Sequence, residues 1–114
     1  MDEVDLDLIR DMHRFSETET RLLGSASAEA FAADERTYLA VWQALQIVGE
    51  AAGRISRATQ RELREIPWSQ VIGMRHHLVH GYRQVRAEII AKTVREDLPP
   101  LIRALEDALR DSGR

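Results

Sequence analysis

Nine consecutive residues, MRHHLVHGY from Met74 to Tyr82, hold three histidines, an arginine and a tyrosine. Imidazole moves protons near neutral pH and ligates metals. A guanidinium stays charged and matches phosphate oxygens with a rigid fork. A tyrosine ring can stack while its hydroxyl hydrogen-bonds. Three chemistries fit this set. His76 and His80 stand one helical turn apart, the i, i+4 spacing of a metal chelate. A metal site also wants a third protein ligand; no carboxylate lies close by in sequence, and Arg75 would repel a cation. In the plainest reading the histidines are solvated and His80 donates to a carbonyl near a helix end. The third chemistry is metal-free cleavage of a phosphodiester. It needs a group to accept and return protons, which His80 can supply, and a cation for the developing charge, which Arg75 can supply. Spacing alone does not choose among the three.

Geometry constrains how such residues can meet. At about 100° per residue, Arg75 and His80 point about 140° apart on one straight helix. Either the helix stops at His80, where Gly81 frees the backbone, or the same segment from two chains builds one site.

The elements that must position these residues read as helices. Val4, Leu8, Met12, Phe15 and Leu22 recur at helical intervals and predict a first helix over about Val4 to Leu23. Gly24-Ser25-Ala26-Ser27 breaks it, and Ser27 or Asp34 can cap the next helix. Tyr38, Val41, Trp42, Leu45, Val48, Ala52 and Ile55 mark a second long helix from about Asp34 to Thr59. After the polar QRELRE, Pro67 suits the first turn of a third helix that carries Trp68, Val71, Ile72, Leu78 and Val79 and stops at Gly81. A fourth covers about Ala87 to Glu96, and Pro99-Pro100 interrupt it or start a fifth. No segment alternates like a strand. The expected fold is all-α, one domain over residues 1–114, an antiparallel four- to five-helix bundle. Gly49 and Gly53 lie within a helical pattern and suit close helix packing rather than a phosphate loop. Trp68 could stack on a base, but a Trp after a helix-starting Pro is more often a core plug, and Trp42 reads as core or dimer interface. His77 reads as structural or solvent-facing, and His13 has no function assigned.

The chain has 114 residues and no cysteine, which excludes disulfides, thiolate metal sites and cysteine nucleophiles. No apolar run approaches the ~20 residues that span a bilayer. The acidic start MDEVDLDLIR has no apolar signal core, so a soluble cytoplasmic protein with no membrane association is expected. Net charge is -3, but the distribution is uneven. From Arg54 to Arg86 there are seven arginines against Glu62 and Glu65, a local bias that a polyanion can use. Arg54, Arg57, Arg83 and Arg86 are the candidate RNA contacts, beside the ordinary reading of solvated helix-face charge.

RHHLVHGY matches the Arg-x-x-x-x-His-x-Tyr signature of HEPN-domain proteins and resembles the HepT-like toxin family. LQIVGEAAGRIS, EIPWSQVIGMRHHLVHGY and VREDLPPLIRAL resemble that family's successive hallmark segments, in order, over about Asp34 to Leu105. The resemblance implies a helical bundle that forms homodimers, with two copies of the motif facing each other across a cleft. It implies a metal-independent endoribonuclease toxin without a cofactor, acting on RNA. The implied partner is a nucleotidyltransferase antitoxin of the MntA type, which attaches AMP to the motif tyrosine. Carried over, Arg75 binds and polarises the scissile phosphate, His80 is the acid–base group, and Tyr82 is the AMPylation site and an RNA contact. His76 stands where the family often has Asn, as a supporting residue or a second proton carrier. Arg86 stands where an acidic residue is common. The other function class is a HEPN binding module that holds RNA, a nucleotide or the nucleotidyltransferase and cuts nothing.

Overall fold

The computed structural model describes residues 1–74 and 83–112. Every regular element among them is helical: α1 (Glu3–Leu23), α2 (Ala28–Ala33), α3 (Glu35–Arg54), α4 (Arg57–Glu62), α5 (Trp68–Gly73), α6 (Arg83–Lys92) and α7 (Leu98–Asp111). Short polar side chains start four of them. The carboxylates of Asp2 and Asp34 accept from the N–H groups of Asp5 and Thr37; the hydroxyls of Ser27 and Ser56 accept from those of Ala30 and Thr59. Each satisfies one of the donors that a helix start leaves free. Gly24 ends α1 at φ 55°, a left-handed conformation that glycine takes without a Cβ penalty.

Three tertiary contacts fix the helix directions. Asp5, at the start of α1, bonds to Ser56 and Thr59, just beyond the end of α3. Arg95, just before α7, donates to the carbonyls of Gly24 and Ala26, just beyond the end of α1. The His13 imidazole lies 3.0 Å from a Glu106 carboxylate oxygen, joining the middle of α1 to α7. So α1 runs antiparallel to both α3 and α7. Ile9, Met12, Val41, Leu45, Val48, Ile90, Leu98 and Leu105 are among the side chains that fill the space between these helices.

The second long helix is shorter than its apolar stripe predicts. It ends at Arg54, because Ile55 turns extended at φ -72°, ψ 138° and Ser56 opens α4. On α1, Val4 and Leu22 are exposed, not core. The buried face instead runs through Leu8, Met12, Ser16, Glu19 and Leu23, which puts two polar residues inside. Between α6 and α7 the chain stays helical but widens into a π turn, Thr93–Asp97, in which the Leu98 N–H bonds to the Thr93 carbonyl. Pro99 and Pro100 account for this turn. They lack N–H groups, and their rings crowd the carbonyls four residues back, on Arg95 and Glu96.

Candidate functional site

Arg75, His76, His80 and Tyr82 lie outside the described residues, as does the predicted helix stop at Gly81. The described residues on either side of them are anchored on one helix, α3. On the leading side, α5 lies so close that a Cβ added at Gly49 would sit 3.2 Å from the Val71 carbonyl oxygen. Gly49 therefore serves close packing, as its place in the sequence suggests. A Cβ at Gly53 would only reach ordinary contact with Ile72, at 3.9 Å. On the trailing side, the Arg83 guanidinium sits 5.4 Å from the centre of the Tyr38 ring, a cation–π distance. Tyr38 in turn packs on Phe31 of α2, ring centres 5.4 Å apart. Tyr38 and Gly49 are separated by about 16 Å along α3.

A polar row runs along α3 between these anchors. Tyr38, Trp42 and Gln46 recur every four residues and so share a face. The Tyr38 hydroxyl, Trp42 Nε1 and Gln46 Nε2 are all buried and have no hydrogen-bond partner among the described residues; Arg86 Nε, on α6, is in the same state. A buried donor left alone costs about 1–3 kcal/mol.

The four candidate RNA-contacting arginines do not form one patch. Arg83 sits at the Tyr38 level of α3, whereas Arg54 ends that helix about 24 Å further along its axis, and Arg57 starts α4 beyond it. Arg54 and Arg57 are exposed; Arg83 and Arg86 are half-buried. Near Arg57 the structure brings together residues that the sequence did not group as a site. Gln60, Arg61, Arg64 and Trp68 join Arg57 around an open concavity of about 440 Å³. The available signal was their spacing, which is helical from position 57 to 68. Trp68 both packs on the core and lines this concavity.

One donor group among the described residues is tight enough to hold a metal ion: His13, Glu17 and Glu106, all within 4.8 Å of one another. The two ring nitrogens of His13 each face a different carboxylate, Nε2 at 3.0 Å from Glu106 and Nδ1 at 3.7 Å from Glu17. The first contact joins α1 to α7, and the second stays within α1. No helix among the described residues is long and apolar enough to cross a membrane.

An all-helical bundle, with an Arg-x-x-x-x-His-x-Tyr segment entered from α5 and left through α6, defines a HEPN-like protein. The model of the family described as "Ribonuclease HepT-like" matches residues 6–108, and the chain belongs to that family. It is similar to "Probable ribonuclease HepT" of Thermococcus cleftensis, 42% identical over 73 residues, which cover 64% of this chain and 66% of the relative. Two further relatives carry the name "Putative RNase". One, from Caldanaerobacter subterraneus, is 30% identical over 84 residues, covering 74% of this chain and 75% of the relative. The other, from Methanocaldococcus jannaschii, is 33% identical over 67 residues, covering 59% and 62%. No solved structure matches significantly.

Proposed function

We propose that this chain is the toxin of a HepT/MntA-type pair, an endoribonuclease that cuts RNA without a metal ion at a site shared by two copies. The observation that carries the reading is the complete Arg75–His80–Tyr82 motif inside a family match that spans almost the whole chain. His80 takes the proton from a ribose 2′-hydroxyl, the 2′-oxygen attacks the neighbouring phosphorus, the P–O5′ bond breaks, and the protonated His80 returns the proton to the leaving 5′-oxygen. Arg75 offsets the charge that builds on the phosphate oxygens. The products carry a 2′,3′-cyclic phosphate or its 3′-phosphate hydrolysis product. His76 supports the site. AMP on Tyr82 sets a bulky anion beside Arg75 and His80, blocking the cleft and repelling RNA. The antitoxin that attaches it is a nucleotidyltransferase.

Support for the two-copy site comes from α6, which follows the motif directly. Its Val85 and Ile89 are 48% and 41% exposed and one turn apart, an apolar pair suited to meeting a second chain. Purified chain, freed of its partner, should degrade RNA in the presence of EDTA. His80→Ala should lower cleavage by a factor of at least about 100 with the fold intact. Activity retained in that variant overturns the acid–base role, and activity lost to EDTA returns the metal chemistry. RNA bound but never cut makes the chain a binding module.

A further inference from the structure

The concavity at the α4–α5 corner has the composition of a nucleic-acid subsite. Arg57, Gln60, Arg61, Arg64 and Trp68 line it. The three arginines are exposed, and none takes part in an ion pair among the described residues. Glu62 and Glu65 come from the same stretch but line hollows that include Ala108 and Asp111 of α7. The fold thus sorts a stretch of mixed charge into a basic side and an acidic side. Two of the lining groups are held before any ligand arrives. Trp68 Nε1 donates to the Leu63 carbonyl at 3.0 Å, and Gln60 Nε2 donates to the Ile55 carbonyl at 3.1 Å.

On the reading that RNA is the substrate, we infer that this corner is a second RNA subsite, where Arg57, Arg61 and Arg64 hold successive phosphates of a single strand while Trp68 stacks on a base. The chemistry selects this ligand over others. No carboxylate lines the concavity and three guanidiniums do, so it repels a cation or an amine. It is too open to enclose a small molecule, which is normally buried over most of its surface. Arginine forks match phosphates, and a fixed indole offers a stacking plate that is useful only to an unpaired base. Position along the chain fits too: Trp68 opens α5, and Met74, about 9 Å away along the helix, is the last described residue before the motif.

The test uses the full chain carrying His80→Ala, which stops cleavage, and a short fluorescein-labelled single-stranded RNA. Anisotropy titrations over a series of salt concentrations give affinity and its salt slope. Replacing Arg57, Arg61 and Arg64 by Gln should weaken binding about tenfold or more and lower the slope by about 2, roughly 0.7 for each phosphate no longer neutralised. A control with the same change of charge elsewhere, Arg21, Arg36 and Arg103 to Gln, should keep the slope. Trp68→Leu should weaken binding about tenfold without changing the slope, and Trp68→Phe should recover most of it. A Trp42→Phe chain leaves Trp68 as the sole indole, and RNA should quench it, a readout that does not require Trp68 to be replaced. Wild-type affinity and slope in the triple arginine variant overturn the subsite. So does equal quenching by a polyglutamate peptide, which would assign the corner to an acidic protein. Cleavage by the chain with His80 intact is followed alongside. Cleavage that ignores the triple variant removes the subsite and keeps the ribonuclease; a binding defect without any cleavage does the reverse.

Discussion

Asp5 and Glu19 are two buried carboxylates near opposite ends of one helix, and they are in opposite electrical states. Asp5 accepts from the Ser56 N–H at 3.1 Å, the Ser56 hydroxyl at 2.5 Å and the Thr59 hydroxyl at 2.6 Å. Burial opposes its charge, but these bonds outweigh burial and hold the carboxyl below its ordinary value. Glu19 is completely buried and neither of its oxygens has a hydrogen-bond partner among the described residues; nor has the Ser16 hydroxyl one turn earlier. With burial unopposed, its pKa is pushed up to about 9. Burial alone therefore does not decide charge; the donors that meet the carboxylate do. Asp5 ties α1 to the α3–α4 junction and so sets the corner that carries Arg57 and Trp68. Glu19 is neutral at pH 7, and keeping it so costs stability.

The largest effect belongs to Asp5. Asp5→Ala removes the acceptor for three donors and should cost about 3–4 kcal/mol in denaturant unfolding. It should also free α4 to shift and weaken RNA binding at the α4–α5 corner. A loss below about 1 kcal/mol would mean that the three bonds add nothing beyond water.

Next is Glu19. A carboxyl raised from 4.5 to about 9 binds more protons folded than unfolded between those values. Its contribution to stability is therefore lost as pH rises through that window, by about 3 kcal/mol at pH 7. Glu19→Gln cannot ionise but still buries an amide, so it should recover about 2 kcal/mol at pH 7 and flatten the decline between pH 5 and pH 9. Asp5 has the opposite sign: its contribution is present above the unfolded value of 3.8 and lost as pH falls through the lower folded value. Thr59→Val turns Asp5 part-way towards the state of Glu19. It should cost about 1–2 kcal/mol and move the Asp5 carboxyl upwards in an NMR titration. An unmoved carboxyl would break the contrast between the two acids.

Local pattern made the long helices legible, because apolar residues every three or four positions need only one buried face. The same reading failed wherever a distant residue decided the outcome. The stripe through Ile55 predicts unbroken helix to Thr59; the chain breaks after Arg54, where Ser56 caps α4 and receives a carboxylate from Asp5, 51 residues away. Val4 and Leu22 read as core and are exposed, while Ser16 and Glu19, outside the predicted apolar stripe, are buried. Only the tilt of α1 on its neighbours sets that choice. The motif of Arg75, His80 and Tyr82 was legible because its elements fall within nine residues. The basic corner was half legible: its arginines stand out in the sequence, but their separation from Glu62 and Glu65 exists only in the fold. The reverse holds for Arg54 and Arg83, which sequence grouped and α3 keeps apart.

His13 supplies the third polar group by which α1 meets its neighbours, and the weakest. Its contacts to Glu17 and Glu106 resemble those of Asp5 in kind, yet both carboxylates are about half exposed. Water already serves these groups, so removing the imidazole leaves no stranded acceptor. His13→Ala should therefore cost less than about 1 kcal/mol, against several for Asp5→Ala, and molar salt should shrink the smaller effect further. Thermal unfolding of both variants at low and high salt checks this. A loss at His13 equal to that at Asp5 would mean that exposure does not weaken the α1–α7 link, and the contrast would then rest on Glu19 alone.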